Sequence, residues 1–427
     1  MDHAALKKLW EEREDAFLKL LRIPSCYDAA TVSEEMPYGA PVAEAFRYMK
    51  EICAEAGFAI REYDHRVFFA SYGTGPRIDI ASHLDVVEPG GGWTHDPFGA
   101  VKENGRIYGR GAQDMKSGAW ASFLALKAFM DSGITPRREF RLVYGTDEER
   151  TMEDMRCYVR HAGLPVFAFS PDCEFPLYLG EKGAIMWTLS GKYSGEIRSL
   201  DAGVQCNVIS PSAKAVLRDG TELSFAGRAA HASRPEEGEN ATVKLLAALC
   251  DRLPEDALIA RLYAFFADPY GERAGIANRH PVMGKLTMNL GILKITEDGR
   301  LTAQIDVRYP ADVRSEEIFR VFKEAFPELS PAMPYDDPPT LTDAEDPHIG
   351  ALMQAYRGVT GEACDLRVSG GVSYAKVLGN CVTFGPVPDN AAKLAHQRDE
   401  SIAVEDCIRA LEIYYESIVR MNALEGE

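Results

Sequence analysis

Apolar residues recur at helical spacing near the start of the chain. Leu6, Leu9, Trp10, Phe17, Leu18 and Leu21 predict a helix over residues 4–22. A second helical stretch runs from about Pro41 to Gly57. The period then changes: Arg77-Ile78-Asp79-Ile80-Ala81-Ser82 reads as a buried strand leading into His83. A helix entered through a polar turn is expected over 111–132, then a strand at 140–145, a helix at 152–161 and a short strand at 166–170. This alternation predicts an α/β layer with a mainly parallel central sheet flanked by helices.

The pattern shifts near Glu181-Lys182-Gly183. Beyond it short strands dominate, at 185–190, 213–217, 223–226, 285–293 and 302–308, with one helix among them at 239–253. The α/β character returns after about 337–346, with a helix at 349–359, a strand at 380–384 and a last helix at 404–421. The expected organisation is a discontinuous α/β domain, residues 1–182 and 341–427, interrupted by an inserted α+β domain, residues 183–340.

Composition narrows the function classes. Of 427 residues, 46% are hydrophobic and 26% charged, which is enough apolar material for large cores. The formal net charge of -18 argues against nucleic acid and anionic membrane as partners, since both are polyanions. The first ten residues are charged and helical in pattern, unlike a secretory leader, and no uninterrupted apolar run has membrane-spanning length. Nine scattered cysteines without a CxxC pair favour free thiols over a disulfide framework or a thiolate zinc site. A reducing, cytoplasmic setting is therefore expected.

Five short segments carry candidate chemistry. In His83-Leu84-Asp85, alternate strand residues share a face, so a carboxylate can orient the imidazole as a metal-binding histidine requires. Taken alone, the same pair also suits a core histidine. Asp114 follows the glycines of Gly109-Arg110-Gly111 and is also placed to cap the next helix. Asp147-Glu148-Glu149 sets three acids just past a strand, a repulsive arrangement that a cation would relieve. Asp172 follows the strand at 166–170, and His396 lies after the last strand of the layer. All five segments are predicted at or beyond strand ends, where open α/β sheets form their sites. Imidazole and carboxylate without thiolate suit zinc, cobalt or manganese.

The chain resembles the M20 metallopeptidases, and most closely their PepV-like dipeptidase branch. The resemblance rests on Ser82-His83-Leu84-Asp85-Val86-Val87, Gly92-Trp93-Thr94-His95-Asp96-Pro97-Phe98, Gly105-Arg106-Ile107-Tyr108-Gly109-Arg110-Gly111, Gly145-Thr146-Asp147-Glu148-Glu149 and Phe169-Ser170-Pro171-Asp172. It continues through Ala230-His231-Ala232-Ser233, Gly370-Gly371 with Tyr374-Ala375, Phe384-Gly385-Pro386 and His396, and so spans most of the chain.

The resemblance implies a two-metal hydrolase of small peptides, with the discontinuous domain catalytic and the inserted domain a lid. It implies His83 and Asp172 on one ion, Glu149 and His396 on the other, and Asp114 bridging both through a cis peptide to Met115. Glu148 would be the general base on the water shared by the ions, and Asp85 would orient His83. His231 would stabilise the oxyanion. Asn207, Arg308, Gly370 and Gly371 would hold the substrate, Arg308 by a bidentate fork on its carboxylate. Zinc is the expected ion, with manganese or cobalt also compatible, and the enlarged insertion implies a monomer. Two readings compete: a deacylase of N-acyl amino acids, towards which Met115 points, and a non-catalytic metal- or peptide-binding protein on the same fold. Arg150, Thr151 and Ser117 also depart from the family pattern, which touches pocket shape rather than the proposed ligands.

Overall fold

The structure is a computed structural model that describes residues 1–425, with the backbone alone described at 332–334. The chain divides into two compact units. The first comprises Met1–Gly180, Leu341–Arg367 and Ser373–Glu427; the second comprises Glu181–Thr340 and Val368–Val372. The division at 180/181 lies two residues before the expected one, and the short segment at 368–372 was not anticipated in the second unit.

The first unit is built on one mixed sheet. Its strands run in the order Ala59–Tyr63, Val67–Tyr72, Glu139–Gly145, Arg77–His83, Phe167–Ser170, Cys381–Thr383 and Leu177–Glu181. The middle four are parallel, whereas the two strands at the start and the one at the end pair antiparallel. The parallel character predicted from the βα alternation therefore belongs to the centre of the sheet. The sequence pattern does not reveal the hairpin at its edge, because Arg61, Glu62, Asp64, His65 and Arg66 break up its apolar alternation.

Helices cover the sheet because their sequences leave apolar faces to bury. His3–Arg22 is capped by the Asp2 carboxylate, which accepts from the Ala5 amide at 2.9 Å, and it buries Leu6, Trp10, Phe17 and Leu21. Lys116–Asp131 is buried on nearly every side, including Trp120, and packs against the long helix Val404–Ala423. Burying a side chain of this size is worth about 1.5–3 kcal/mol. These elements share one core that also holds Ile78, Ile80, Phe140 and Leu142 of the central strands.

The second unit is an antiparallel sheet ordered Glu222–Ala226, Ser212–Leu217, Ile197–Ala202, Thr287–Ile295, Arg300–Tyr309, Gly183–Lys192 and Ser330–Asp337. The helices Ala241–Arg252, Ala257–Phe266 and Ser315–Ala325 complete it, around a separate core containing Trp187, Leu245, Phe265 and Ile305. Of these helices only the first was anticipated. Among the described residues no helix is long and apolar enough to cross a membrane.

Candidate metal centre

Parallel pairing aligns the carboxyl ends of the central strands, with His83 opposite Gly145 and Thr383 opposite Ser170. His83 closes its strand, Glu148 and Glu149 follow Gly145, and Asp172 follows Ser170 and Pro171. The crevice outside these ends is where open α/β sheets bind ligands. Asp114 arrives just before the helix Lys116–Asp131. It does not cap that helix: Met115 holds the cap position, no side chain caps it, and the Asp114–Met115 peptide is cis.

The carboxylate of Asp114 lies 3.0 Å from His83 Nε2 through one oxygen and 3.0 Å from His396 Nε2 through the other. His83 Nε2 is also 3.6 Å from Asp172, and His396 Nε2 is 3.1 Å from Glu149. Two groups result, His83–Asp114–Asp172 and Asp114–Glu149–His396, with donor atoms within 4.8 Å of one another in each. Four side chains spread from position 83 to position 396 thus meet around one shared aspartate. The set is all nitrogen and oxygen, which fits zinc, cobalt or manganese.

The electrostatics fit a cation as well. Burial disfavours the charge on His83, yet Asp172, Asp114 and Asp85 hold its pKa well above the usual imidazole range. Burial also opposes the charge on Asp114, but His396 and His83 keep its pKa far below the carboxylate range. Hydrogen bonds to Asp114 and Glu149 raise His396 to about 11. Burial, reinforced by Asp114, lifts Glu149 to about 7, and burial likewise lifts Glu148 and Asp172. The shifts reflect carboxylates and imidazoles packed closely together, and a cation held among them would screen the carboxylates from one another.

Asp85 meets His83 first through its main chain. His83 Nδ1 meets the main-chain carbonyl of Asp85 at 2.9 Å, whereas the Asp85 carboxylate is 3.6 Å away. That carboxylate instead accepts from the amides of Glu148, at 3.3 Å, and Glu149, at 3.1 Å. Being buried, it answers the nearest unpaired donors, and these belong to the acidic loop.

Two supporting acids carried no signal in the sequence. Buried Glu400 accepts from the amides of Gln113, at 2.7 Å, and Asp114, at 3.1 Å, while Arg110 Nη1 donates to it at 2.5 Å. Buried Asp154 accepts from the amides of Thr146, at 2.5 Å, and Asp147, at 2.8 Å, and from the Tyr374 hydroxyl. A Cβ at Gly145 would fall 1.9 Å from that hydroxyl, which explains the glycine.

The candidates in the second unit form their own cluster. Val208 and His231 make a β-bridge, and the Asn207 carbonyl accepts from the Ala232 amide at 2.9 Å. The Ser233 amide donates to His231 Nδ1 at 3.2 Å, which assigns the ring proton to Nε2. Gly370 lies against Ser233 and its carbonyl accepts from Arg308 Nη1 at 2.9 Å; the Gly371 amide donates to Ser369 Oγ at 2.9 Å. The fork of Arg308 corrects one expectation. Its Nε and Nη2 donate to Asp306, at 2.9 and 2.7 Å, rather than facing open space. Alternate residues of a strand share a face, so Asp306 and Arg308 stand side by side.

A mixed sheet whose parallel centre gathers imidazoles and carboxylates around one aspartate at its carboxyl edge is an α/β fold with a candidate metal centre. Residues 80–420 match the family model described as Peptidase family M20/M25/M40, and the chain belongs to this family. A Bacillus subtilis (strain 168) protein, YtjP, which carries a provisional dipeptidase name, is 30% identical over 94% of this chain and 96% of its own length. The Beta-Ala-Xaa dipeptidase of Lactobacillus delbrueckii subsp. lactis is 27% identical over 97% of this chain and 98% of its own. In fold, the chain is similar to the crystal structure of human carnosine dipeptidase 1, with a TM-score of 0.66, 12% identity and 99% of both chains covered.

Proposed function

We propose that the chain is a dipeptidase and that its two donor groups hold two divalent ions. The observation that carries this reading is the sharing of Asp114 by both groups, with Glu149 in one and Glu148 next to it in sequence. His83 and Asp172 would hold one ion, Glu149 and His396 the other, and Asp114 both. Zinc is our choice, and the donor set serves manganese or cobalt equally. When bound, the ions supply Lewis acidity, which makes water a nucleophile near neutral pH and polarises the scissile carbonyl.

The remaining work falls to the chain's own residues. Glu148 takes the proton from the attacking water and returns it to the leaving amine nitrogen. Its burial raises its pKa, which strengthens it as the base that takes the proton. Asp85 fixes the loop that presents it. His231, with its proton on Nε2, donates to the oxyanion that develops in the transition state. Asn207, Gly370 and Gly371 receive the carboxylate end of the substrate, and Arg308 supports them by holding the Gly370 carbonyl. The names of the two bacterial relatives support the choice of a dipeptide. We further propose a cytoplasmic monomer, a state that light scattering on the purified chain would test.

A panel of dipeptides, set against N-acetyl and N-succinyl amino acids, decides the substrate class. Hydrolysis of the acylated set alone would replace the dipeptidase reading with a deacylase. In the same assay Glu148→Ala is expected to lower kcat by about 10²- to 10⁴-fold while metal content stays constant. Undiminished turnover would remove Glu148 from the role of base.

A further inference from the structure

Among the described residues a third set of metal-type donors lies in the first unit, apart from the centre above. It comprises Asp64, Cys157 and His161, again with one donor atom from each within 4.8 Å of the others. Cys157 and His161 stand four residues apart on the helix Glu153–Ala162, so they neighbour each other on one face. Asp64 comes from the tight turn between Ala59–Tyr63 and Val67–Tyr72, where Asp64 and His65 both adopt positive φ, at 52° and 54°. A short three-residue connection of this kind, residues 64–66, fixes where the Asp64 side chain starts.

The two spacings around Cys157 suit one ion. Cys157 Sγ lies 3.2 Å from Asp64 Oδ2 and 3.7 Å from His161 Nδ1. Donors held about 2.0–2.3 Å from a tetrahedral zinc stand about 3.3–3.8 Å apart. The imidazole is already oriented. Its ring stacks on Tyr63, with centroids 4.7 Å apart and planes 12° apart, and Nδ1 donates to the Cys157 carbonyl at 2.9 Å, a hydrogen bond that a metal at Nδ1 would replace. We propose that Asp64, Cys157 and His161 form a separate site for a single thiophilic divalent cation of the zinc class, with a fourth position left to water. Cys157 is buried, while Asp64 and His161 are exposed and give the ion its route in. Binding forms metal–Sγ and metal–Nδ1 bonds: the thiol proton goes to solvent, the Nδ1–H bond to the Cys157 carbonyl breaks, and the ring proton moves through solvent from Nδ1 to Nε2. The cation would tie the helix Glu153–Ala162 to the edge hairpin, two elements distant in sequence.

This site and the paired-ion centre can be told apart by spectroscopy, because the ligands proposed for the latter contain no sulfur. The full chain is stripped of metal and refilled with Co²⁺. A thiolate-to-cobalt charge-transfer band is expected in the wild type. Cys157→Ser and His161→Ala should each lose one equivalent of bound Co²⁺ per chain, Cys157→Ser should lose the band, and both should keep peptide turnover. Cys173→Ser, which alters the thiol beside Asp172, should keep the band. A wild type without the band, or a Cys157→Ser variant that retains both band and equivalent, would overturn the proposal. Circular dichroism verifies folding, and if Cys157→Ser does not fold, the exposed His161→Ala variant decides through the Co²⁺ count. Loss of turnover on metal removal, with the thiolate band unchanged in inactive Glu148→Ala, keeps this result independent of the peptidase reading.

Discussion

Asp79 shows how one side chain writes pH into stability. It is fully buried on the central strand, where it accepts from Tyr158 at 2.9 Å and lies 3.2 Å from Arg77 Nε. Burial dominates these partners and lifts its carboxyl from 3.8 to about 6. An acid whose folded pKa exceeds its unfolded pKa binds more protons when folded, so its contribution to stability falls as pH rises between the two values. Relative to wild type, Asp79→Asn should therefore gain stability as pH rises from 3.8 to about 6 and then level off. Urea titrations across that range measure the difference, and a flat difference would contradict the assignment. Asp154 and Glu400 are buried acids of another kind. Each accepts two backbone amides beside the proposed ligands, so their loss should be felt in loop geometry before it is felt in global stability.

The helix Lys116–Asp131 matters at the next scale because it touches the site from behind. Gly118 lies on it, and a Cβ there would stand 2.4 Å from the Pro171 carbonyl oxygen, one residue before Asp172. A backbone oxygen cannot swing aside as a flexible side chain can. Gly118→Ala is therefore expected to destabilise the fold despite a helix-propensity gain of about 1 kcal/mol, and to weaken metal retention by pushing Asp172 out of place. Gly350 is the control: it lies within the helix Pro347–Thr360 with nothing within 4 Å of its would-be Cβ. Gly350→Ala should stabilise by about 0.5–1 kcal/mol. Thermal melts of the two variants, with metal analysis of the first, check both signs.

For the molecule as a whole, the two units bury separate cores, and the proposed catalytic ions belong to the first. Asp85, Asp114, Glu148, Glu149 and Asp172 concentrate negative charge that divalent ions would offset. Chelation should therefore lower the melting temperature, and refilling should restore it. An ion at 100 times its dissociation constant adds about 2.7 kcal/mol of stability. Calorimetry with and without chelator measures this, and an unmoved transition would argue against ions at the five ligands. Much of this architecture could be read along the chain. The helices at the two ends, the strand leading into His83 and the acids after Gly145 and Ser170 all follow from local period and turn chemistry, which neighbouring residues determine between themselves. The edge hairpin at 59–72, the assignment of residues 368–372 to the second unit, the supporting roles of Asp154 and Glu400, and the capture of Arg308 by Asp306 did not follow. Each depends on which distant segments pair and on which polar groups burial leaves seeking a partner, and only the folded chain decides that.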